Sequence, residues 1–584
     1  MDIANVCAGG NSRSNALGHA AMALAGTAAM LAFHTARGFP SLADSGGDND
    51  SVLRLVQVRD LLAGQGWFDP TQYRMGLEGG FAMHWSRLVD APIALLVTLF
   101  GETVALIIWP SLLFAASLYL IFRAARALGG EAAILPGFIL GGLSLYFVGV
   151  FRPGALDHHN VQLVLTLAAI ACLIDGKRPA WAGICAAGML AVGMEAAPYA
   201  AAACVIAAVW FLFDGESGAR IARRFGAGFA AACAAVFFGT IAPQSYFAAA
   251  CDAFSLPQAL LGVLGGAGLA AIASAPAPQS RWIGQLMALA ALGAVCGAIL
   301  VAGFPQCLGD PYAGLDPRLK EFWLGSVVEA QSFVALLHDE PAKLLTVYVT
   351  PLLGLLVLAG MILRAEKRRE ALIVTAFLAM AFAVSIWQVR GSTFSVPLAT
   401  IALAAWIGGA RARAERDKTQ KAQFAMALSW IVSANLVWQL VAMPFLSEEE
   451  AAAGETASEC YAHADYAAAA ALPPGTIAVI SNLGSSVLAN TPHRVLAGPY
   501  HRNQQGNLAN LDLMMAKADE AAELALKAGV DYVALCPGNP ETNALVEWAP
   551  EGLVAGLAGG QAPDWLQSAA TGPLLIWQVH VSDR

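Results

Sequence analysis

Residues 344–363 read LLTVYVTPLLGLLVLAGMIL, and the basic cluster RAEKRR follows at once at 364–369. Twenty residues without a charge are long enough, as a helix, to cross a hydrocarbon core of about 30 Å. Lys and Arg gather on the cytoplasmic side of such spans, so the cluster marks the end that stays inside. The next apolar run, ALIVTAFLAMAFAVSIW at 371–387, leads back across and is followed by a lone Arg390. Working outward from this pair, comparable runs centre near residues 27, 112, 142, 168, 188, 205, 233, 266, 293, 354, 379, 401 and 434, about thirteen in all. The first is read as an uncleaved helix, because no small-x-small cleavage site precedes the polar stretch at Gly38.

The positive charges alternate as one orientation requires. Segments expected inside hold Arg13; Arg123 and Arg126; Lys177 and Arg178; Arg220, Arg223 and Arg224; Arg281; Arg364 and Lys367 to Arg369; and Arg411 to Lys421. An odd number of spans then places the N-terminus in the cytoplasm and residues 448–584 outside. Composition agrees: 58% of residues are hydrophobic and 13% charged, against about a quarter charged in soluble chains. The formal net charge of -9 mixes two compartments and decides little, and no basic stripe suggests nucleic acid. The expected fold is mainly α, a polytopic membrane domain over 1–447 with a small α/β periplasmic domain over 448–584.

That C-terminal region has strand-like runs at Thr476 to Ile480 and Tyr532 to Leu535, and a helical pattern from Leu511 to Leu526 that stops at Gly529. The ten cysteines lie mostly in apolar runs as small packing residues, with no C-x-x-C pair. Cys460 and Cys536 both fall in the C-terminal region and would pair if it faces an oxidising compartment, although spacing alone leaves the connectivity open.

The outside loops differ in kind from the inside ones. Two are long, 37–90 and 304–343, and loops of that length are usually functional. They carry Asp44, Asp48, Asp50, His84 and Asp90, then Asp310, Asp316, Glu321 and Glu329. Leu53, Arg54, Val56, Val58 and Leu61 suit an amphipathic helix on the membrane surface. A short loop, Phe151-Arg-Pro-Gly-Ala-Leu-Asp157-His158-His159-Asn160, enters a span with a carboxylate and two imidazoles at the bilayer edge. Ionisable groups there are functional candidates by default. Helix capping by Asp157 or Asn160 explains one residue but not both histidines, and Asp48, Asn49 or Asp50 would serve equally as a cap. Glu329 alone reads equally well as a solvated loop residue.

Taken together, carboxylates and imidazole on one membrane face make an oxygen and nitrogen shell for a divalent cation, Mg²⁺ or Mn²⁺. Arg390 adds a fork suited to phosphate. A metal and an arginine at the membrane surface imply a phosphorylated lipid whose leaving phosphate both would stabilise.

At these residues the sequence resembles the GT-C membrane glycosyltransferases, in particular the catalytic subunit of archaeal and bacterial oligosaccharyltransferases. The order of Asp50, Asp157-His158-His159, Glu329 in Val-Val-Glu-Ala-Gln, and Arg390 is similar to the family pattern, as is His84-Trp85-Ser-Arg-Leu-Val-Asp-Ala-Pro92. The resemblance implies inverting transfer of a sugar or oligosaccharide from a polyprenyl phosphate or diphosphate to an extracytoplasmic glycan, lipid or protein. It implies Asp50, Asp157, His159 and Glu329 as metal ligands, Asp50 also orienting or deprotonating the acceptor, and His158, Arg390 and His84 on the donor phosphate. Asp50, Asp157 and Glu329 are thus the expected catalytic carboxylates. The family's Trp-Trp-Asp motif is replaced by Ile480-Ser481-Asn482-Leu483-Gly484-Ser485-Ser486, so the usual sequon recognition is not expected. The bacterial inner membrane is the expected location. The competing class is a transporter or flippase of a lipid-linked or anionic substrate, but transporters place ionisable groups near the midplane of repeat-related halves, and here they sit at the outer edge.

Overall fold

The computed structural model describes residues 4–275, 281–310, 312–326, 328–445 and 459–580. Twelve of the thirteen expected span centres fall on helices, the one secondary structure that satisfies its own backbone in lipid without neighbours, and the last, near 434, falls at a break between two helices. Among the described residues, eight helices are long and apolar enough to cross a membrane: Leu17–Ala36, Glu102–Gly129, Met194–Phe213, Gly215–Thr240, Trp282–Gly303, Lys343–Leu363, Arg368–Trp387 and Val389–Asp417. A ninth, Gln420–Ser433 with Asn435–Phe445, bends by 68° where Ala434 turns extended. Four shorter apolar helices complete the set, Glu131–Phe147, His159–Asp175, Pro179–Val192 and Leu256–Ile272. At 1.5 Å per residue, the 14 residues of Pro179–Val192 reach about 21 Å, short of a full crossing. Shortness has a use here, because the loops at Asp157 and Glu195 are thereby recessed into the bundle.

Val389–Asp417 forms the centre, with 83% of its most apolar window buried. Its neighbours approach closely: a Cβ on Gly408 would stand 2.8 Å from the backbone of Ala132, so only glycine permits that crossing. The basic clusters collect at one end of the bundle, where Arg123 pairs with Asp175 at 3.6 Å and Arg369 with Asp214 at 3.1 Å. The acidic loops and the C-terminal region occupy the other end.

The Asn49–Leu62 helix does not lie on a membrane surface as its pattern predicts. Leu53 and Val56 enter the core of the C-terminal region, while Leu55 and Val58 pack with Val89, Ile93 and Trp109 over the bundle. The helix is a wedge between two apolar bodies, which is why Arg54 on its third face is also fully buried. Its loop continues through a small hairpin, β1 (Thr71–Gln72) and β2 (Phe81–Ala82).

The C-terminal sheet comprises β3 (Thr476–Ala478), β4 (Arg494–Val495), β5 (Tyr532–Leu535), β6 (Leu566–Ala570) and β7 (Leu575–Val579), in the order β4-β3-β5-β7-β6. β3 runs parallel to β4 and β5, whereas β7 is antiparallel to β5 and β6. The helical pattern expected from Leu511 to Leu526 is two helices, Gln504–Met515 and Ala518–Ala528, broken where Ala516 and Lys517 turn extended. Gly529 ends the second at φ 65°, as expected of a glycine stop. The expected domain boundary at 447/448 lies outside the described residues.

Two disulfides are present among the described residues. Cys460–Cys536 joins residues 76 apart in the C-terminal region, and Cys251–Cys307, which sequence reading left as packing residues, ties the loop before Leu256–Ile272 to the start of the 304–343 loop. Loss of a cross-link of the first kind removes about 2–4 kcal/mol. Cys536→Ala should therefore lower the melting temperature of the full-length protein in detergent, and the difference from wild type should vanish in reductant; a difference that persists there would assign the effect to packing instead.

Candidate active site

Asp48, not Asp50, caps the Asn49–Leu62 helix, accepting from the Ser51 amide at 3.1 Å. Asp50 is left for another task. The adjacent Ser51 hydroxyl accepts from the amides of Leu156 and Asp157 at 2.8 and 3.0 Å, which docks the first outer loop onto the Asp157 loop. Asp50 is consequently crowded: burial first, then the Asp157 carboxylate, push its carboxyl up to about 7, with Glu329 and Asp48 adding and His158 opposing. Asp157 and Glu329, distant in sequence, both lie within electrostatic reach of Asp50, although neither Asp50 nor Glu329 belongs to a group of ligand atoms within 4.8 Å of one another among the described residues.

Two such groups are present among the described residues, His84 with Asp252 and His501, and, next to Asp50, Asp157 with His158 and His159. Asp157 Oδ2 is 2.5 Å from His159 Nδ1, and Oδ1 is 2.9 Å from His158 Nδ1. Burial resists ionisation of Asp157, but the two imidazoles outweigh it and hold the carboxyl well below its ordinary range. His158 faces Asp157 with one ring nitrogen and Glu195 with the other, at 3.6 Å. Against the burial, these carboxylates lift it to about 10, so it is an imidazolium. Behind this group stands a buried ion pair: Arg54 Nη1 to Asp90 Oδ1 at 2.7 Å, supported by Arg87 at 3.2 Å, with the Arg54 guanidinium 4.5 Å over the Trp85 ring.

A cavity of about 160 Å³ opens beside the cluster, lined by His159, Glu195, Tyr199, Arg390, Phe394, His84 and others. Three of its lining residues carry a buried nitrogen without a hydrogen-bond partner among the described residues: Arg390 Nε, His84 Nδ1 and His159 Nε2. Burial, then the neighbouring His501, drive His84 down to about 3, so it is a neutral imidazole. The Val389 amide donates to Gln331 O at 2.8 Å, which holds the Glu329 loop against the Arg390 turn. His158 is not on the cavity wall; of the three histidines expected at the site, His84 and His159 are.

Several residues of this end escaped sequence reading. Asp252 accepts a two-pronged contact from Arg502, 2.7 Å on each oxygen, and a third from His501 Nε2 at 2.7 Å. No local pattern signals a pair 250 residues apart. Glu195 is an acid between two apolar runs, and nothing near it in sequence names His158 as its partner. The donor set fits a divalent cation of the Mg²⁺ or Mn²⁺ kind: carboxylates crowded enough to push Asp50 up, plus an imidazole whose Nδ1 is held by Asp157 and whose Nε2 is unpartnered among the described residues.

No protein-family model matches the chain, and no curated protein matches it either. Among solved structures it is similar to the archaeal oligosaccharyltransferase AglB from Archaeoglobus fulgidus in complex with an inhibitory peptide and a dolichol-phosphate. The TM-score is 0.61 at 14% identity, covering 87% of this chain and 67% of that one. The A. fulgidus enzyme in its apo form gives 0.60 at 14% identity over 86% and 67%. Its complex with Zn and sulfate gives 0.56 at 12% over 90% and 67%. The likeness is one of fold: this chain is a polytopic membrane protein that shares the architecture of that archaeal enzyme.

Proposed function

We propose that this GT-C-fold membrane protein is a metal-dependent inverting glycosyltransferase that moves a sugar or oligosaccharide from a polyprenyl phosphate or diphosphate to an extracytoplasmic acceptor. The observation that carries this reading is the set of three unpartnered buried nitrogens, on Arg390, His84 and His159, around one cavity beside crowded carboxylates. Buried donors without partners are costly unless a ligand satisfies them. A phosphoryl group offers oxygens to Arg390 and His84, and a cation satisfies His159 Nε2, whose Nδ1 is held by Asp157.

Asp50, Asp157, His159 and Glu329 would hold the cation, which when bound would neutralise charge on the leaving phosphate. Arg390 and the neutral His84 donate to phosphate oxygens. His158, fixed as an imidazolium by Asp157 and Glu195, orients Asp157 and adds positive charge near the donor. Asp50 orients the acceptor and takes its proton as the acceptor atom bonds to the anomeric carbon; the bond from that carbon to the phosphate oxygen breaks, and the phosphate leaves with the electron pair.

The acceptor is a glycan, a lipid or a protein, without the usual sequon grip. Where the family has Trp-Trp-Asp, Ser481 and Asn482 amides donate to Glu541 at 2.8 Å each, and Ser485 reaches Tyr500 at 3.1 Å. We assign 1–447 to the catalytic membrane domain and 448–584 to a periplasmic domain in a bacterial inner membrane, N-terminus inside. In support, both disulfides lie at the site end and the basic clusters at the other.

Cells carrying wild type or Asp50→Ala test the reading by comparison of lipid-linked sugars and glycoconjugates. A growing lipid-linked pool with loss of one glycoconjugate is expected; no change in either would remove the enzyme assignment. Metal binding gives a second check. A proton must leave Asp50 before its carboxylate binds a cation, so affinity for Mn²⁺ should fall as pH drops through about 7, approaching tenfold per unit below it. Titration calorimetry showing equal affinity at pH 6 and 8 would contradict Asp50 as a ligand.

A further inference from the structure

We propose that His501, carried by the C-terminal region, forms with His84 a second phosphoryl-binding subsite on the wall of the donor cavity, and that Asp252 and Arg502 position it. The inference rests on the donor reading above and adds to it a residue from outside the membrane domain.

His501 lines the same cavity as Arg390. Its ring centroid is 4.9 Å from that of His84 and 5.8 Å from that of Tyr312. Nε2 is committed to Asp252 Oδ2 at 2.7 Å, which fixes the ring and leaves Nδ1 as the nitrogen available to a ligand. His84 contributes its own unpartnered Nδ1 beside it.

A carboxylate at an anion site would ordinarily repel the ligand. Here Arg502 cancels it, donating Nε to Oδ2 and Nη2 to Oδ1 at 2.7 Å each, a planar fork that also immobilises the carboxylate. The backbone of Asp252 is anchored next door by Cys251–Cys307. With Asp252 neutralised, Arg390 and His84 remain as donors, joined by His501 Nδ1 when the ligand is bound by the imidazolium form, and the chemistry they select is a tetrahedral oxyanion with several acceptor oxygens, the phosphoryl group of a lipid phosphate. Because Arg502 also donates to Ala82 O at 3.2 Å, in the hairpin two residues before His84, both halves of the subsite are fixed to one another.

The test is binding of undecaprenyl phosphate, with undecaprenol as control, to the full-length protein in detergent. His501→Gln is the decisive variant: its amide nitrogen replaces Nε2 as donor to Asp252, and only the cavity-facing nitrogen is lost. Its affinity for the phosphate should fall about tenfold, the scale of one charge-assisted hydrogen bond, at an unchanged melting temperature. Asp252→Asn should lower affinity without removing any cavity donor, and should do so less than His501→Gln. If His501→Gln binds as wild type while Arg390→Ala does not, the subsite is wrong and the donor cavity stands. If wild type binds undecaprenol as tightly as the phosphate, the donor reading itself fails and the subsite with it.

Discussion

Asp50→Asn should reduce sugar transfer by about a thousandfold, within the range removed with a catalytic base, while leaving undecaprenyl phosphate binding near wild type. The amide has the shape of the carboxyl but can neither take a proton nor match its charge toward a cation. The helix that carries it survives, because Asp48 provides the cap. Stability even moves the other way. The folded state raises Asp50 to about 7 from an ordinary 3.8, so the contribution of its protonated form is complete below the unfolded value and disappears as pH rises through about 7. At pH 8 the metal-free Asn variant should therefore melt higher than wild type, and the gap should close toward pH 5. Transfer to a water-soluble acceptor mimic, assayed beside thermal melting, reads both effects; a variant retaining a tenth of the wild-type rate would exclude Asp50 from the chemistry.

Asp90→Leu should be the most damaging substitution for the fold, at about 3–5 kcal/mol, because it leaves Arg54 and Arg87 buried without their shared carboxylate. The consequence reaches the site. Arg54 Nη2 stands 3.4 Å from His158 Nδ1, and an unpaired guanidinium there would oppose the imidazolium that holds Asp157. Thermal unfolding in detergent should show the loss, and the double variant Arg54→Met/Asp90→Leu should recover part of it, since one buried guanidinium rather than two then lacks a carboxylate and Arg87 still donates to the Gln57 and Asp69 carbonyls. A single variant that melts within a degree of wild type would show that solvent reaches the pair.

The spans were legible because lipid imposes one rule on every one of them. Runs such as 344–363 must be helical and apolar throughout, and the basic residues that end them repeat in one phase. The site was legible as far as its residues are anomalous at a membrane edge, which is true of Asp157-His158-His159 and of Arg390. What sequence could not carry was partnership. The Asn49–Leu62 helix reads as amphipathic, yet its faces meet two different cores, and nothing local distinguishes a lipid surface from a folded domain. Arg54 read as the polar face of that helix and is instead the centre of a buried charge group. The Asp252–Arg502 contact and the Cys251–Cys307 bridge depend on loops meeting at the mouth of the bundle, which only the assembled fold specifies. The break at Ala516 and Lys517 was missed for a simpler reason: alanine and lysine carry no stop signal, and tertiary packing overrides their helical preference.

Anomalous scattering from Mn²⁺-soaked crystals of the full-length protein tests the shared-cation site most directly. A single strong peak bounded by Asp50, Asp157, His159 and Glu329, beside the Arg390 cavity, is the expected result. A peak seated instead among His84, Asp252 and His501, or none near Asp50, would contradict it.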